Sequence, residues 1–223
     1  MEKRNKLVLV GAGEFALIAF EYFTFDSSYE VVAFSVERDY IKASTLNGLP
    51  VVPYDELLKR FPPGECDGFV AIPASDLNRL RKRFYLDMKS RGYRLASYVS
   101  SSAFVWKNAK IGENTFIFEG NVIQPFVEIG NNCILWSGNH VGHRSIIRDH
   151  SFIASHAVIS GYCDIGEGSF IGVNATFNDN IRVGHACVIG SGALVVKDTE
   201  PERLYAGQPA RAVPGKSSYD VGL

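Results

Sequence analysis

Five histidines, His140, His143, His150, His156 and His185, are the side chains of this chain best suited to acid–base chemistry near neutral pH, because an unperturbed imidazole titrates at about 6.5. Their spacing does not make a metal site. No His-x4-His pair is present, and where His150 and His185 would want a third ligand the chain has Gly190, so the ligand set is incomplete and no metal is expected. The four cysteines, Cys66, Cys133, Cys163 and Cys187, contain no C-x-x-C pair and read as core filler in a reducing compartment. Near the start, Gly11-Ala-Gly13 follows the apolar run Leu7 to Val10. A glycine turn between strand and helix can offer backbone N–H groups to a phosphate, although Glu14 beside it would repel one.

The elements that must position the histidines are written in steps of six. From Val99 to Val195 every sixth residue is apolar, a period that fits neither a long helix nor a hairpin but fits a solenoid. Four positions after each of these the chain is usually small, as at Thr115, Cys133, Ser145, Ala157, Cys163, Cys187 and Ala193. Ile-Gly type steps at Ile111, Ile129, Ile165 and Val183, with Ile147-Arg148 filling the gap, group three hexads into a coil of 18 residues. Stacked at about 4.8 Å, the coils would make a prism on the order of 25 Å tall. This register turns His143 outward at a corner and puts His156 in a column between Gly138 and Asn174.

Before the hexads, strand and helix signals alternate: Leu7 to Val10, a helix over Phe15 to Phe23, a strand over Tyr29 to Phe34, a short helix over Tyr54 to Phe61 and a strand over Gly68 to Ile72. A longer helix is predicted from an N-cap at Ser75, with Leu77, Leu80, Phe84 and Met88 on one stripe and Gly92 at its stop. The predicted organisation is an α/β domain over 1–95, a β-helix over 96–200 and a cap over 201–223, in which prolines 201, 209 and 214 stop regular stacking. A net charge of −1, with 46% apolar and 21% charged residues, gives no reason to expect nucleic acid or an anionic membrane as partner. The charged opening Met-Glu-Lys-Arg-Asn-Lys is neither a signal peptide nor a span, so a cytoplasmic protein is expected.

Gly11-Ala-Gly13, Asn47-Gly-Leu-Pro50-Val, Ser101-Ser-Ala103, His143, and Gly207-Gln-Pro-Ala-Arg211 stand in an order that resembles the sialic-acid O-acetyltransferase type of sugar acyltransferase. That group includes nucleotide-amino-sugar N-acetyltransferases of bacterial glycan synthesis. The resemblance implies a Rossmann-like α/β domain, a left-handed parallel β-helix, a homotrimer, and acetyl-coenzyme A bound between subunits with a nucleotide-linked sugar as acceptor. It implies His143 as general base; position in the repeat, not the resemblance, makes His140, His156, Arg144 and Asn174 accessory candidates. Coenzyme A would meet Phe152, Val173 and the Gly190-Ser191-Gly192 turn, with Arg211 and Lys216 near its phosphates. The acceptor would meet Gly11, Gly13, Glu14, Phe15 and Glu37. The chain departs from the family pattern at four places. Arg144 stands where an acidic residue usually orients the histidine, Glu14-Phe15 where Gly-His is typical, Ser35-Val36-Glu37 where paired aspartates are usual, and Pro73 where a glycine follows the fourth strand. A carboxylate elsewhere, such as Asp149 or one from a neighbouring subunit, or the backbone setting itself, would then have to support His143.

Other readings of the same residues are a zinc enzyme of the γ-carbonic anhydrase kind, which shares the prism, a dinucleotide oxidoreductase with Glu37 as its ribose acid, and a non-catalytic sugar-nucleotide-binding or assembly protein. A direct transfer needs no covalent enzyme intermediate, because a thioester is already activated; it needs a base for the acceptor and a place for the oxyanion. The residues leave open whether an amino or a hydroxyl group receives the acyl group.

Overall fold

A computed structural model describes residues 5–223; the charged opening Met1 to Arg4 lies outside the described residues. The described residues divide into two compact units, one of 5–73 and 81–98 and one of 74–80 and 99–223.

In the first unit, β1 (Asn5–Val10), α1 (Glu14–Phe25), β2 (Tyr29–Val36), β3 (Thr45–Leu46), β4 (Leu49–Pro53), α2 (Leu57–Arg60) and β5 (Asp67–Val70) precede α3 (Arg79–Ser90). The sheet runs β3-β4-β2-β1-β5, parallel except for the β3–β4 hairpin. The central β1 buries Leu7, Val8, Leu9 and Val10, as a strand flanked on both faces must. Aromatic rings fill the layer against it, with Phe23 edge-on to Phe69 at 5.1 Å.

The helix predicted from Ser75 begins only at Arg79. Asp76, Leu77 and Asn78 all have left-handed backbone angles, with φ of 54, 46 and 65°, which no right-handed helix can contain. Tertiary contacts override the local cap signal here. Leu77 is buried, and Asn78 Nδ2 donates to the Gly168 and Ser169 carbonyls at 3.0 and 3.4 Å.

The second unit is a three-sided prism of two-residue parallel strands, each paired with the strand 18 residues away. The first face stacks Phe104–Val105, Val122–Ile123, His140–Val141, Val158–Ile159, Thr176–Phe177 and Leu194–Val195. The second stacks Lys110–Ile111, Glu128–Ile129, Ile146–Ile147, Asp164–Ile165 and Arg182–Val183. The third stacks Phe116–Ile117, Ile134–Leu135, Phe152–Ile153, Phe170–Ile171 and Val188–Ile189. The sixth-residue side chains from Ile117 onward are 4% exposed or less, each gaining about 1.5 to 3 kcal/mol over an exposed position. At the open end the same pattern is less covered: Val99 is 37% exposed, and Val105 and Ile111 are half-buried. The small positions lie inside with their polar atoms satisfied. Ser145 Oγ donates to the Ser160 carbonyl and accepts the Cys163 N–H, at 2.8 and 3.0 Å.

Corner residues recur in left-handed columns, such as Gly120, Gly138, His156, Asn174 and Gly192, or Phe126, Arg144, Tyr162 and Asn180. The stacking does not stop at Pro201. Leu204–Tyr205 adds one more parallel strand to Val188–Ile189 before Arg211–Ser217 turns back antiparallel, because the prolines lie outside the residues that pair. Among the described residues no helix is long and apolar enough to cross a membrane.

Candidate active site

His143 sits on the turn that leaves the first face for the second, and it is exposed. Its backbone N–H donates to Gln124 Oε1 at 2.9 Å, and the same oxygen lies 3.4 Å from Nδ1. The Tyr162 ring meets the imidazole edge-on, 5.1 Å between centroids. On the coil above, the missing side chain of Gly161 makes room, because a Cβ there would stand 2.6 Å from His143 Cε1. The imidazole thus rests in a small frame of Gln124, Tyr162 and Gly161 with its outer edge open to solvent.

Two of the accessory candidates belong to a different corner. His156 and Asn174 lie where the third face passes to the first, in the column of Gly138 and Gly192. The His156 ring covers Gly138, where a Cβ would come within 2.5 Å of it. Their left-handed angles are shared by every corner of the prism and mark the fold rather than a function. His140 projects from the first face between these two corners. Five residue steps of near-extended chain lead from Gly138 to His143, so the corners are about 15 Å apart. Arg144 also leaves the imidazole: its guanidinium lies 4.4 Å over the Phe126 ring. Asp149 is engaged elsewhere, accepting the Asn131 N–H and side-chain amide at 2.8 and 3.2 Å, and is no partner for His143.

The residues expected at coenzyme A gather along the corner of His156. Val173 is 42% exposed, and Ser191 is exposed beside it. The backbone there is largely committed: Gly190 N–H donates to the Tyr205 carbonyl, Gly192 N–H to the Val173 carbonyl, and the Gly192 carbonyl accepts Gln208 Nε2. Phe152 contributes packing, with its buried ring stacked 5.2 Å from Phe170. Arg211 and Lys216 are exposed on the final strand. An open cleft of 510 Å³ in the cap is lined by Glu200, Pro201, Glu202, Arg203, Ser217 and Tyr219, none of them a predicted site residue.

In the first unit, Gly11 is needed for packing. Its φ is +133°, its N–H donates to the Ser35 carbonyl, and a Cβ would stand 2.5 Å from the Ala71 oxygen. Gly13 precedes α1 with open space above it, and Glu14 is exposed in the first helical turn. Phe15 is 4% exposed against Phe69, so its side chain serves the core and is closed to a ligand. Glu37 is paired with Arg83 Nη2 at 3.1 Å, and the Pro73 carbonyl accepts from the buried Arg81 at 2.6 Å.

His150, the nearest thing to a ligand histidine, is buried in an amide ladder. Asn114 donates to Asn132, which donates to His150 Nδ1 at 2.9 Å. Among the described residues no group of three His, Cys, Asp or Glu side chains is placed to hold a metal. Sequence reasoning missed Gln124, Tyr162 and Gly161. Gly161 and Tyr162 lie one coil after His143 and Arg144, and Gln124 one coil before Gly142, so the 18-residue step could have found all three.

Residues 94–202 match the family model described as the GMPPB C-terminal domain. No curated protein matches the chain. Among solved structures, the acetyltransferase domain of PglB from Neisseria gonorrhoeae matches at 26% identity and a TM-score of 0.84, over 94% of this chain and 100% of its own, and it has also been solved in complex with acetyl coenzyme A. PerB from Caulobacter crescentus, in complex with CoA and GDP-perosamine, matches at 26% identity and 0.82, over 94% and 97%. The perosamine N-acetyltransferase of that organism has been solved with one histidine replaced by asparagine or by alanine. WeeI from Acinetobacter baumannii, at 21% identity and 0.75 over 94% and 100%, shares the fold. The neighbours at 25% identity or more are thus described as an acetyltransferase domain and as a perosamine N-acetyltransferase.

Proposed function

We propose that this chain is an acetyl-coenzyme A-dependent sugar N-acetyltransferase of glycan biosynthesis, acting on a nucleotide-linked amino sugar with His143 as its general base. The observation that carries the reading is the match, over 94% of the chain, to acetyltransferases solved with acetyl coenzyme A or with CoA and a nucleotide sugar. The exposed His143 supplies the base the chemistry requires.

The acceptor nitrogen attacks the thioester carbonyl carbon, the new C–N bond forms and the C–S bond breaks. His143 takes the proton the amine loses and returns it to the departing thiolate sulfur. Residues along the corner of His156, Val173, Asn174 and Ser191 would hold the coenzyme, with His140 between that corner and the base. Because the two corners stand about 15 Å apart on one chain, a site that uses both needs a second copy, and we assign the protein as a homotrimer. Exposed Phe104, Trp106, Val158 and Tyr162 on and beside the first face support that assembly. The α/β unit, which we read as Rossmann-like, would take the nucleotide at the open Gly13 and Glu14 turn. The left-handed sense of the prism and a cytoplasmic location complete the reading.

The test is thiol release from acetyl-coenzyme A over a panel of nucleotide-linked amino and hydroxyl sugars. Release with an amino sugar is expected. The reading fails if no acceptor gives release and coenzyme A does not bind. His143→Ala should lower kcat by about 10² to 10⁴, the share of a general base, and an unchanged kcat moves the base to His140 or His156.

A further inference from the structure

The position after His143, acidic in the family the chain resembles, is here a cation whose side chain lies on Phe126. What holds the imidazole is Gln124, and the geometry decides which end of the amide it uses. The His143 backbone N–H, 2.9 Å away, can only donate, so the amide must present its oxygen there and not its NH2. That oxygen is also the atom 3.4 Å from Nδ1. An oxygen facing Nδ1 favours the tautomer in which Nδ1 carries the proton, and Nε2 is then left with its lone pair toward the open edge.

We propose that Gln124 is the positioning residue for His143, fixing the Nδ1–H tautomer and leaving Nε2 free to accept the acceptor's proton. The proposal rests on His143 being the base. A neutral amide at 3.4 Å orients the ring without adding the charge stabilisation that a carboxylate gives an imidazolium. The charged and titratable groups around the ring are Arg144 on its own turn, His140 on its own strand, Tyr162 at its edge, and Asp179, which accepts the Gly161 N–H at 2.8 Å.

The experiment compares kcat and the pH dependence of kcat/KM for the parent, Gln124→Ala, Gln124→Glu and His143→Ala. Gln124→Ala should lower kcat about tenfold to hundredfold, the scale of losing an orienting partner, while KM for acetyl-coenzyme A stays within twofold. Gln124→Glu, of the same length, should restore most of kcat and move the acid limb of kcat/KM upward by about one pH unit, since an anion beside the ring favours its protonated form. If His143→Ala is active, the base assignment fails. If His143→Ala is inactive but Gln124→Ala keeps parental kcat and acid limb, the positioning proposal alone fails. It also fails if Gln124→Glu neither restores kcat nor moves that limb, because a merely structural side chain would behave in that way.

Discussion

Gly161→Ala tests whether the frame around His143 governs activity separately from stability. The glycine is not in a left-handed conformation, so alanine can take its backbone angles without strain. The new Cβ would lie 2.6 Å from His143 Cε1, 2.9 Å from Nε2 and 3.1 Å from Nδ1, where ordinary contact begins near 3.4 Å. The ring must therefore retreat by roughly 1 Å, and a displacement of that size costs on the order of 10² in rate. The group that yields is the end of a side chain on an exposed corner, so the fold loses little. Replacing glycine even returns about 0.4 to 1 kcal/mol by narrowing the unfolded ensemble. Expected together are a kcat about 10² lower in the thiol-release assay and a Tm within a few degrees of the parent. A kcat within threefold of the parent at unchanged Tm would refute the reasoning, because the imidazole would then work without the space Gly161 provides. A collapse of Tm would refute it differently, showing that the glycine serves the coil.

Two further predictions concern the fold and the assay. Gly11→Ala places a Cβ 2.5 Å from a backbone oxygen at a φ of +133°, so thermal unfolding should show a loss of about 2 to 4 kcal/mol. An unchanged Tm would mean that β1, β2 and the Ala71 segment are not packed as closely as described. Burial raises the thiol of Cys66 to about 11 and pushes those of Cys163 and Cys187 upward, which lowers the thiolate fraction that reacts at neutral pH. The native protein should therefore leave these thiols unmodified by a disulfide reagent until denaturant is added, and fast labelling of the folded protein would contradict that burial.

The prism could be read from sequence because its side chains obey one short period. Each inward residue, from Ile117 to Val195, needs only to be apolar at its own place in the count, and no distant partner has to be known. The small interior positions follow the same count, which is why Cys133, Cys163 and Cys187 can be placed inside the prism from the sequence. Where several forces act on one segment the reading failed. Ser75 with Asp76 looks like the start of a helix, yet Asn78 gains two carbonyl partners on the prism about ninety residues away and Leu77 gains burial. Those contacts outweigh a cap worth about 1 kcal/mol. Phe15 failed in another way, since an aromatic residue after a glycine turn can face a ligand or the sheet, and Phe69 decides for the sheet.

With His143 as the proposed base, its surroundings show why such a residue can be named from a sequence while its partner is not. His143 is marked by residue type and by its corner position. A search for its orienting group naturally looks at the next residue, where Arg144 offers the wrong charge. In a stacked-coil protein, however, the neighbours of a corner side chain lie a full coil away, and the turn shifts the contact by one more residue. Gln124 therefore stands nineteen positions earlier, one coil before Gly142 rather than before His143 itself. The amide there does part of what a carboxylate would do and omits the rest. It sets the ring and its proton, but is itself no counter-charge for the imidazolium that forms during transfer. The phosphates of a nucleotide-linked acceptor are anions that the proposed chemistry brings to the bound complex, which makes the acid limb of kcat, the limb that reports the enzyme–substrate complex, sensitive to the acceptor used. Two amino sugars with different nucleotide groups should then give different acid limbs of kcat with the parent enzyme and converge with Gln124→Glu, and identical kcat limbs in the parent would show that the substrate supplies no such charge.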